Sequence, residues 1–457
     1  MSSLNLQPEV SDAVAKYGLS DKAALNSLQT LPWDSLEKLF SNLWSSDNPE
    51  GLVFLGVAEN PLLHPEVAQY ITSNFTIDPT QHLGYGVGPR GSPRLKKALA
   101  SFFNRKFHAY EPVHDAEVLV LPGVISVLDA LTWAVCNEGE GIIVPLPYYT
   151  GFVPAAKERS RGVLIPAPFQ SLDGYKGVDD IFDPEMNRKS LEAALEKAAL
   201  LTIQSPKETL REIARFCGRH GLHLISDEIF AQSVYETPNV IDPVPFNSIL
   251  SLDLTGCIDR QFVHVAYGMS KDYSANGFRL AALHSRNEGL LVAVTSICVF
   301  SWAPYITQDM WAKMLEDEDF SLALASKNRT LLGEHYTIIT QFLDAHEISY
   351  YRSTNAGCFV WVDLRSYLRG SEETEESSSL STHKLSPSEL DMYQDRERKL
   401  SKRCIVGGVG ISAGSSYFAE ELGWFRISFT VEKEALLVGL ERLMKCLQEI
   451  KADGWES

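Results

Sequence analysis

Short apolar runs alternate with amphipathic stretches between about residues 83 and 312 of the chain. The apolar runs predict six strands, at residues 118–121, 141–144, 199–203, 222–226, 262–266 and 280–285. Runs that are apolar throughout are typical of strands that helices cover on both faces, as in a parallel sheet. The pattern therefore predicts an α/β fold with a mostly parallel sheet covered by helices.

The remaining residues flank this region on both sides. We predict three parts: an N-terminal arm with part of a small domain at 1–82, a large domain at 83–312, and the rest of a small α/β domain at 313–457. Within the last part, an acidic, serine-rich run at about 370–388 is typical of a flexible, solvated insertion. Helical periodicity returns at 389–403, and an apolar stripe marks the last helix of the chain.

A lysine lies directly beyond one predicted strand. Lys271 follows the apolar run 262–266, with the hydroxyl of Ser270 before it and Arg279 eight residues after it. An amine can bind the aldehyde of pyridoxal 5'-phosphate (PLP), while a hydroxyl and a guanidinium can bind its phosphate. Asp227 ends another apolar run, and the carboxyl ends of parallel strands meet at one edge of a sheet. A buried carboxylate needs a partner, and the pyridinium nitrogen of PLP is a suitable one.

Ordered motifs extend over the chain from about residue 51 to about residue 448. They are Gly56-Val57-Ala58-Glu59-Asn60-Pro61, Gly84-Tyr85-Gly86, Arg90-Gly91-Ser92-Pro93-Arg94-Leu95, Pro147-Tyr148-Tyr149-Thr150-Gly151-Phe152, Ser226-Asp227-Glu228-Ile229, the Ser270-Lys271 motif with Arg279, Asn355-Ala356-Gly357-Cys358-Phe359-Val360-Trp361 and Gly423-Trp424-Phe425-Arg426. Together they resemble the fold type I PLP-dependent enzymes of the class I/II aminotransferase superfamily, especially the fungal members of its 1-aminocyclopropane-1-carboxylate synthase-like branch. The resemblance implies the PLP transferase fold, PLP as the cofactor and an α-amino acid as the substrate.

The resemblance also implies roles for four residues outside the lysine motif. Tyr149 would stack its ring on the cofactor. Arg426 would bind the α-carboxylate of the substrate, because a guanidinium fork matches a carboxylate with two parallel hydrogen bonds. Glu59 would lie beside the substrate pocket. Tyr85 would reach the cofactor phosphate of a neighbouring subunit, which implies a homodimer with shared active sites.

A predicted strand, a glycine turn and a predicted helix follow one another at residues 118–129. The backbone amides of Val124 and Ile125 at the start of that helix are suited to binding the cofactor phosphate, because a helix N-terminus favours anions. Relatives commonly have a threonine where Ile125 stands. Ser126 is the candidate that supplies the hydroxyl in its place.

The chain departs from the family pattern on one side of the expected cofactor. Relatives carry an Asn-Pro-x-Asn-Pro-x-Gly stretch that this chain lacks between Gln204 and Ser205, and Phe230 stands where they have a tyrosine. Both expected donors to the phenolic oxygen of PLP are therefore missing, and cofactor affinity should fall. Ser205, Pro206 and Glu208 nevertheless predict a helix start with a capping box. Three explanations stay open for the gap: a specialised catalyst, a cofactor-poor pseudoenzyme, or a misplaced exon boundary.

These residues suggest chemistry at Cα of an amino acid, with Lys271 as the general base. We favour elimination of a leaving group by carbon–sulfur bond cleavage, as in lyases of fungal secondary metabolism that belong to this branch. Class I/II transamination is the alternative, and cyclopropane closure is a third outcome of the same first step. A further alternative is a catalytically impaired pseudoenzyme.

Composition narrows the expected partners and location. The net charge is −18 without a basic cluster, so nucleic acids and anionic membranes are poor partners. The chain has no run of about 18 apolar residues that would span a membrane. Its seven cysteines are dispersed, which favours reduced thiols in the cytoplasm over disulfides. The N-terminus lacks a secretory pattern, and we predict no metal site.

Overall fold

The computed structural model describes residues 8–28, 33–195, 198–203, 205–240, 243–369 and 380–455. The helices are α1 Pro8–Tyr17, α2 Asp21–Ser27, α3 Trp33–Phe40, α4 His64–Asn74, α5 Pro79–His82, α6 Pro93–Lys106, α7 Val124–Val135, α8 Phe152–Lys157, α9 Pro184–Ala193, α10 Lys207–His220, α11 Met269–Asp272, α12 Glu288–Cys298, α13 Tyr305–Glu316, α14 Glu318–Ala345, α15 Arg365–Leu368, α16 Pro387–Val406 and α17 Lys433–Asp453. The strands are β1 Val53–Phe54, β2 Val118–Leu121, β3 Gly141–Pro145, β4 Val163–Ala167, β5 Ala198–Ile203, β6 Leu224–Asp227, β7 Val263–Gly268, β8 Ala281–Ser285, β9 Phe359–Asp363, β10 Val409–Gly410, β11 Ser412–Ala413 and β12 Trp424–Ser428.

The first 52 residues form one compact unit and the rest of the chain forms another. In the first unit, Ala24 of α2 packs with Val10 and Ala13 of α1 in a small apolar cluster. Ser20 caps α2, because its side chain accepts a hydrogen bond from the amide of Ala23.

The second unit is built on a seven-stranded sheet with the strand order β2-β8-β7-β6-β5-β3-β4. Strands β3 to β7 run parallel, and β8 is antiparallel to both of its neighbours, β7 and β2. The predicted mostly parallel sheet is therefore confirmed, with all six predicted strands. The prediction missed β4, an edge strand that contains Pro166 and has four of its five residues only partly buried or exposed. Such a strand lacks the continuous apolar run of a central strand.

Helices cover both faces of this sheet. Neighbouring residues of β2 point to opposite faces, and Val120 and Leu119 belong to two different apolar clusters. One cluster includes buried side chains of α6, α10 and α13, such as Phe103, and the other includes side chains of α7, α8 and α12, such as Phe152. The predicted covering of the sheet by helices is confirmed.

The segment between β5 and α10 differs from the prediction at its helix start. The helix begins at Lys207, its N-cap is Pro206, and no side chain caps it. The predicted capping box is wrong, because Pro206 has extended backbone angles and the Ser205–Glu208 spacing no longer matches N-cap and N3. Glu208 instead pairs with Arg211 at 2.6 Å. Gln204 lies outside the described residues.

Smaller sheets and the last helices complete the second unit. Strand β12 pairs antiparallel with β11 and β9, and β1 pairs parallel with β10. The predicted last helix is α17, in which Leu436, Leu440, Leu443, Leu447 and Ile450 are buried. None of the helices in the described ranges is both long and apolar enough to cross a membrane.

The acidic insertion predicted at about 370–388 is only partly described. Residues 370–379 lie outside the described residues. Leu380 and Ser381 are buried, and the amide of Thr382 donates a hydrogen bond to Glu420 at 2.8 Å. The prediction of a solvated segment is wrong for these residues, because the chain packs again as soon as an apolar side chain follows the serines. The division at residues 82 and 312 stays a prediction.

Candidate active site

Two neighbouring strands bring Asp227 and Lys271 to the same edge of the large sheet. Asp227 is the last residue of β6 and pairs with Ala266 of β7, while Lys271 lies in α11 just after β7. The short turn of α11 begins where β7 ends, so the lysine stays at the carboxyl edge. The Asp227 carboxyl is close enough for its charge to act on the Lys271 amine.

The amine of Lys271 is enclosed by groups from several elements. Its Nζ donates a hydrogen bond to the carbonyl of Ala58 and lies 5.9 Å from the centre of the Phe230 ring. Burial lowers the pKa of Lys271, although nearby carboxyl groups of Glu59 and Asp227 raise it. A lysine with a lowered pKa is more often neutral, which makes it a better nucleophile and base.

The carboxyl group of Asp227 is held at the end of its strand. Its Oδ1 accepts a hydrogen bond from the amide of Ile229 at 3.2 Å. Burial raises the pKa of Asp227 to about 7, against the opposing effects of the Ile229 amide and Lys271. A cationic partner such as a protonated ring nitrogen would stabilise the ionised carboxylate here.

A cation faces the start of α7. The N-cap of α7 is Gly123, whose positive φ of 94° favours glycine, and the amides of Val124 and Ile125 follow in the first turn. A Cβ atom at Gly123 would lie 2.5 Å from Nη2 of Arg279. Within the described ranges, Arg279 is exposed and forms no ion pair, and its Nη1 donates to the carbonyl of Asn276 at 2.9 Å. Free amides and a guanidinium at a helix start make an anion-binding recess.

The two candidate hydroxyl groups differ in their surroundings. Ser126 Oγ donates to the carbonyl of Pro122 at 3.2 Å, so its proton is used by the backbone rather than directed to the recess. A phosphate accepts hydrogen bonds, so Ser126 would have to turn its hydroxyl away from Pro122 to serve one, and its role in place of the family threonine stays a prediction. Ser270 is half-buried and directly precedes Lys271 in α11.

Tyr149 borders the recess. A Cβ atom at Gly151 would collide with the rings or chains of both Tyr149 and Ile125, which places these two side chains together. Half of the Tyr149 surface is exposed, yet burial of its hydroxyl end raises its pKa. The charges of Arg426, Asp227 and Arg279 act on the same hydroxyl, so the side chain lies among the predicted cofactor and substrate residues.

Arg426 is a buried cation on β12. Its Nη2 donates to the carbonyl of Gly56 at 2.7 Å, and its guanidinium lies over the rings of Tyr417 and Phe359 at 4.2 and 4.8 Å. Its Nε is buried without a hydrogen-bond partner, and none of the described carboxylates forms an ion pair with it. A buried guanidinium is costly without an anion, so this arrangement is suited to an anionic ligand.

Glu59 joins this group, whereas Tyr85 does not. Oε1 of Glu59 accepts a hydrogen bond from Asn276 at 2.8 Å, and its carboxyl group acts on the charge of Lys271. The side chain of Tyr85 is 84% exposed and makes an edge contact with Trp302 at 6.1 Å. Its expected contact with a partner's cofactor stays a prediction.

Sequence reasoning missed two residues of the site. Tyr417 lies under the Arg426 guanidinium, but its segment carries no motif that would have pointed to it. Cys358 was not singled out as a site residue, although its sulfur is close enough to Lys271 and Arg426 for their charges to act on its pKa. Burial is the main cause that raises this pKa. The signal was its position inside the 355–361 motif.

The geometry defines a site of the PLP-dependent type. Lys271 can bind the aldehyde, Asp227 can pair with the ring nitrogen, and the Gly123–Arg279 recess can bind the phosphate. These residues fit the cofactor. Phe230, which the resemblance places on the side of the phenolic oxygen, lies near the lysine amine and has no hydroxyl.

Comparisons with known proteins agree with this class. Residues 54–443 match the model of the family "Aminotransferase class I and II", and the chain belongs to that family. It is 28% identical to 1-aminocyclopropane-1-carboxylate synthase 1 of Oryza sativa subsp. indica, over 95% of this chain and 90% of that protein. It is 30% identical to "Probable aminotransferase gliI" of Aspergillus fumigatus, over 84% of this chain and 87% of that protein.

A solved structure shares the fold. The tryptophan complex of a tetra mutant of Thermus thermophilus aspartate aminotransferase superposes with a TM-score of 0.70 at 20% identity, covering 94% of this chain and 99% of that chain. The fold type I architecture is thus confirmed. Together with the family membership, this makes the protein a PLP-dependent enzyme of the 1-aminocyclopropane-1-carboxylate synthase-like branch.

Proposed function

We propose that the protein removes the α-proton of an amino acid and then expels a sulfur-containing leaving group, which makes it a carbon–sulfur lyase. The observation that carries the first half of this proposal is Arg426. Its buried and unpaired Nε lies in the group of residues around Lys271, where an α-carboxylate would satisfy both its charge and its hydrogen bond. The substrate is therefore expected to be an α-amino acid with a free carboxylate.

Each residue around Lys271 would have a separate role in this reaction. When bound, PLP withdraws electrons from Cα of the amino acid and makes its proton acidic. The amine of Lys271, with its lowered pKa, would take that proton as a general base. Asp227 would hold the ring nitrogen protonated, and Arg279 with the first amides of α7 would hold the phosphate. Tyr149 would cover the ring, and Ser270 would add a donor at the phosphate.

The choice of elimination rests on Glu59 and Phe230. Glu59 places a carboxyl group beside Lys271, where its protonated form can give a proton to a departing thiolate, a step that transamination does not need. Phe230 lies against the lysine amine and brings no hydroxyl to the cofactor, so the electron demand of the ring differs from that in relatives with a tyrosine. Sulfur-bearing amino acids are the expected substrate class, and fungal secondary metabolism is the expected setting.

Transamination is the second candidate, and the similarity to the Aspergillus fumigatus protein named as an aminotransferase favours it. Incubation with an S-substituted cysteine separates the two. A lyase releases pyruvate, ammonia and a thiol without a second substrate, whereas an aminotransferase needs a 2-oxo acid that accepts the amino group. Turnover that depends entirely on added 2-oxo acid would overturn the lyase proposal.

Covalent trapping tests the cofactor site and the pseudoenzyme alternative. Borohydride reduction of the PLP-treated protein should attach the cofactor to the peptide that contains Lys271. Lys271→Ala should abolish this modification, while the exposed Lys384→Ala should leave it unchanged. Failure of the unaltered protein to bind PLP would support a cofactor-poor protein instead.

We also propose a homodimer in which Tyr85 contacts the partner's cofactor phosphate. Leu83, Tyr85 and Val87 are exposed, as is Phe300 in the neighbouring segment, and exposed apolar groups of this size are typical of interfaces. The amide of Val87 bonds to the hydroxyl of Tyr305 at 2.9 Å, which joins the two segments. Mixing Tyr85→Ala with Lys271→Ala protein should restore part of the activity that each lacks, because one site of a mixed dimer is then intact. No recovery in a dimer shown to be mixed would contradict shared sites.

A further inference from the structure

Asn276 contacts two charged groups of the proposed site at once. It begins the short 3-10 turn Asn276–Phe278 between α11 and β8. Its side-chain amide donates a hydrogen bond to Oε1 of Glu59 at 2.8 Å. Its main-chain carbonyl accepts a hydrogen bond from Nη1 of Arg279 at 2.9 Å. The same residue therefore lies between the carboxyl group near Lys271 and the guanidinium at the start of α7.

The main chain of Glu59 is held separately from its side chain. Its carbonyl accepts a hydrogen bond from the hydroxyl of Thr430, just beyond β12. With the backbone fixed in this way, the direction of the carboxyl group depends on the bond to Asn276. A hydrogen bond between an amide and a carboxylate is charge-assisted and is stronger than one between neutral groups.

We infer that Asn276 is a positioning residue, which directs the Glu59 carboxyl group toward Lys271 through its side-chain amide. The inference rests on the proposed function, because it assigns the orientation of a group that the elimination would use. The ionisable groups that surround the Lys271 amine together with Glu59 are Asp227 on β6, Cys358 before β9 and Arg426 on β12.

The first test needs no turnover. The Glu59 carboxyl raises the pKa of Lys271, so turning it away should make the amine more often neutral and faster to acylate. In the full-length protein stripped of PLP, Asn276→Ala should speed acetic anhydride labelling of Lys271 severalfold, because a larger fraction of the amine is then neutral. Glu59→Gln should have the same effect, and the double variant should label no faster than either single variant.

A matched control distinguishes positioning from general loss of structure. Asn239 also donates its side-chain amide to one side chain, the hydroxyl of Tyr350 at 2.9 Å, outside the group of residues around Lys271. Asn239→Ala should leave the labelling of Lys271 unchanged. Equal labelling in unaltered and Asn276→Ala protein, or additive effects of the two site variants, would overturn the inference.

The second test uses the holoenzyme and an S-substituted cysteine. Asn276→Ala should lower kcat about tenfold with little change in KM, which corresponds to losing one hydrogen bond to a charged group. PLP affinity should be retained, because Arg279 bonds to the main chain of residue 276 rather than to its side chain. In Asn276→Asp, two adjacent carboxyl groups should share a proton and hold it to higher pH, which moves the basic limb of the pH profile upward. An unchanged profile would count against Asn276, whereas an inactive unaltered enzyme would count against the proposed function alone and leave the labelling result to decide.

Discussion

Replacing Asp227 with asparagine should stabilise the protein without PLP and inactivate it with PLP. Burial raises the pKa of this carboxyl group from its ordinary value of 3.8 to about 7. A difference of one in pKa corresponds to about 1.36 kcal/mol, so the ionised carboxyl costs up to about 4 kcal/mol of folding free energy. Asparagine has nearly the same shape and carries no charge, and its Oδ1 can still accept the hydrogen bond from Ile229. The new amide hydrogens need partners, so the measured gain should be smaller than this limit.

The stability cost of Asp227 should increase with pH. Because the folded pKa is higher than the unfolded one, the folded chain holds this proton more tightly. The cost of Asp227 is absent below pH 3.8, grows as the pH rises from there to about 7, and is constant above that value. The advantage of the asparagine variant should grow over the same interval.

Urea unfolding of the PLP-free protein at about pH 5 and about pH 8 measures this effect. Asp227→Asn should raise the midpoint more at the higher pH, while the exposed Asp47→Asn should change neither value. With PLP present the order should reverse, because the variant lacks the negative partner of the ring nitrogen and should lose turnover and affinity. A variant that is less stable at both pH values would contradict this prediction, because it would show that the carboxylate is already compensated within the protein.

Three further predictions concern the recess, the ring and a buried histidine. Gly123→Ala should weaken PLP binding at least tenfold in a spectroscopic titration, because its Cβ would collide with Arg279. The control Gly139→Ala should leave PLP binding unchanged, because Gly139 has a similar positive φ but no atom within 4 Å of the added Cβ. Phe230→Tyr should increase PLP affinity severalfold by equilibrium dialysis, since it returns a donor near the lysine amine; no gain would mean that the hydroxyl misses the phenolic oxygen. Burial lowers the pKa of His264 well below 6.5, so the stability of the protein should fall as the pH drops below 6.5. Urea midpoints should show a shallower fall for His264→Gln than for the unaltered protein.

Central strands could be predicted from the sequence because their surroundings are uniform. Strand β7 is buried along its whole length, and its residues other than His264 and Gly268 are apolar, so the run can be recognised in the sequence. Strand β4 lies at an edge, where exposed and buried residues alternate irregularly around a proline. The start of α10 was misjudged for a local reason, since the backbone angles of Pro206 decide whether Ser205 or Pro206 is the cap.

The residues of the candidate site also differ in how well the sequence predicts them. Lys271 and Asp227 follow apolar runs, and because parallel strands end at one edge of a sheet, the sequence alone predicts that the two residues lie close together. The bond between Asn276 and Glu59 joins residues 217 positions apart, and no periodicity carries such a contact. Tyr417 was missed because its contact with Arg426 depends on how the chain after β11 packs, and the sequence gives no local signal for that packing.

The reversed direction of β8 constrains the length of the chain between two residues that are proposed to contact the cofactor. Since β8 runs antiparallel to β7, with Gly268 opposite Ala281, its first residues lie at the edge where β7 ends. Lys271 and Arg279 therefore belong to one hairpin connection, whereas a parallel strand would have started at the opposite edge after a long crossover. The length of this connection therefore sets the distance between the proposed contacts with the aldehyde and with the phosphate. A residue inserted or deleted within it would move one contact relative to the other. Length variation among natural variants should be absent there and common in the acidic segment after residue 369.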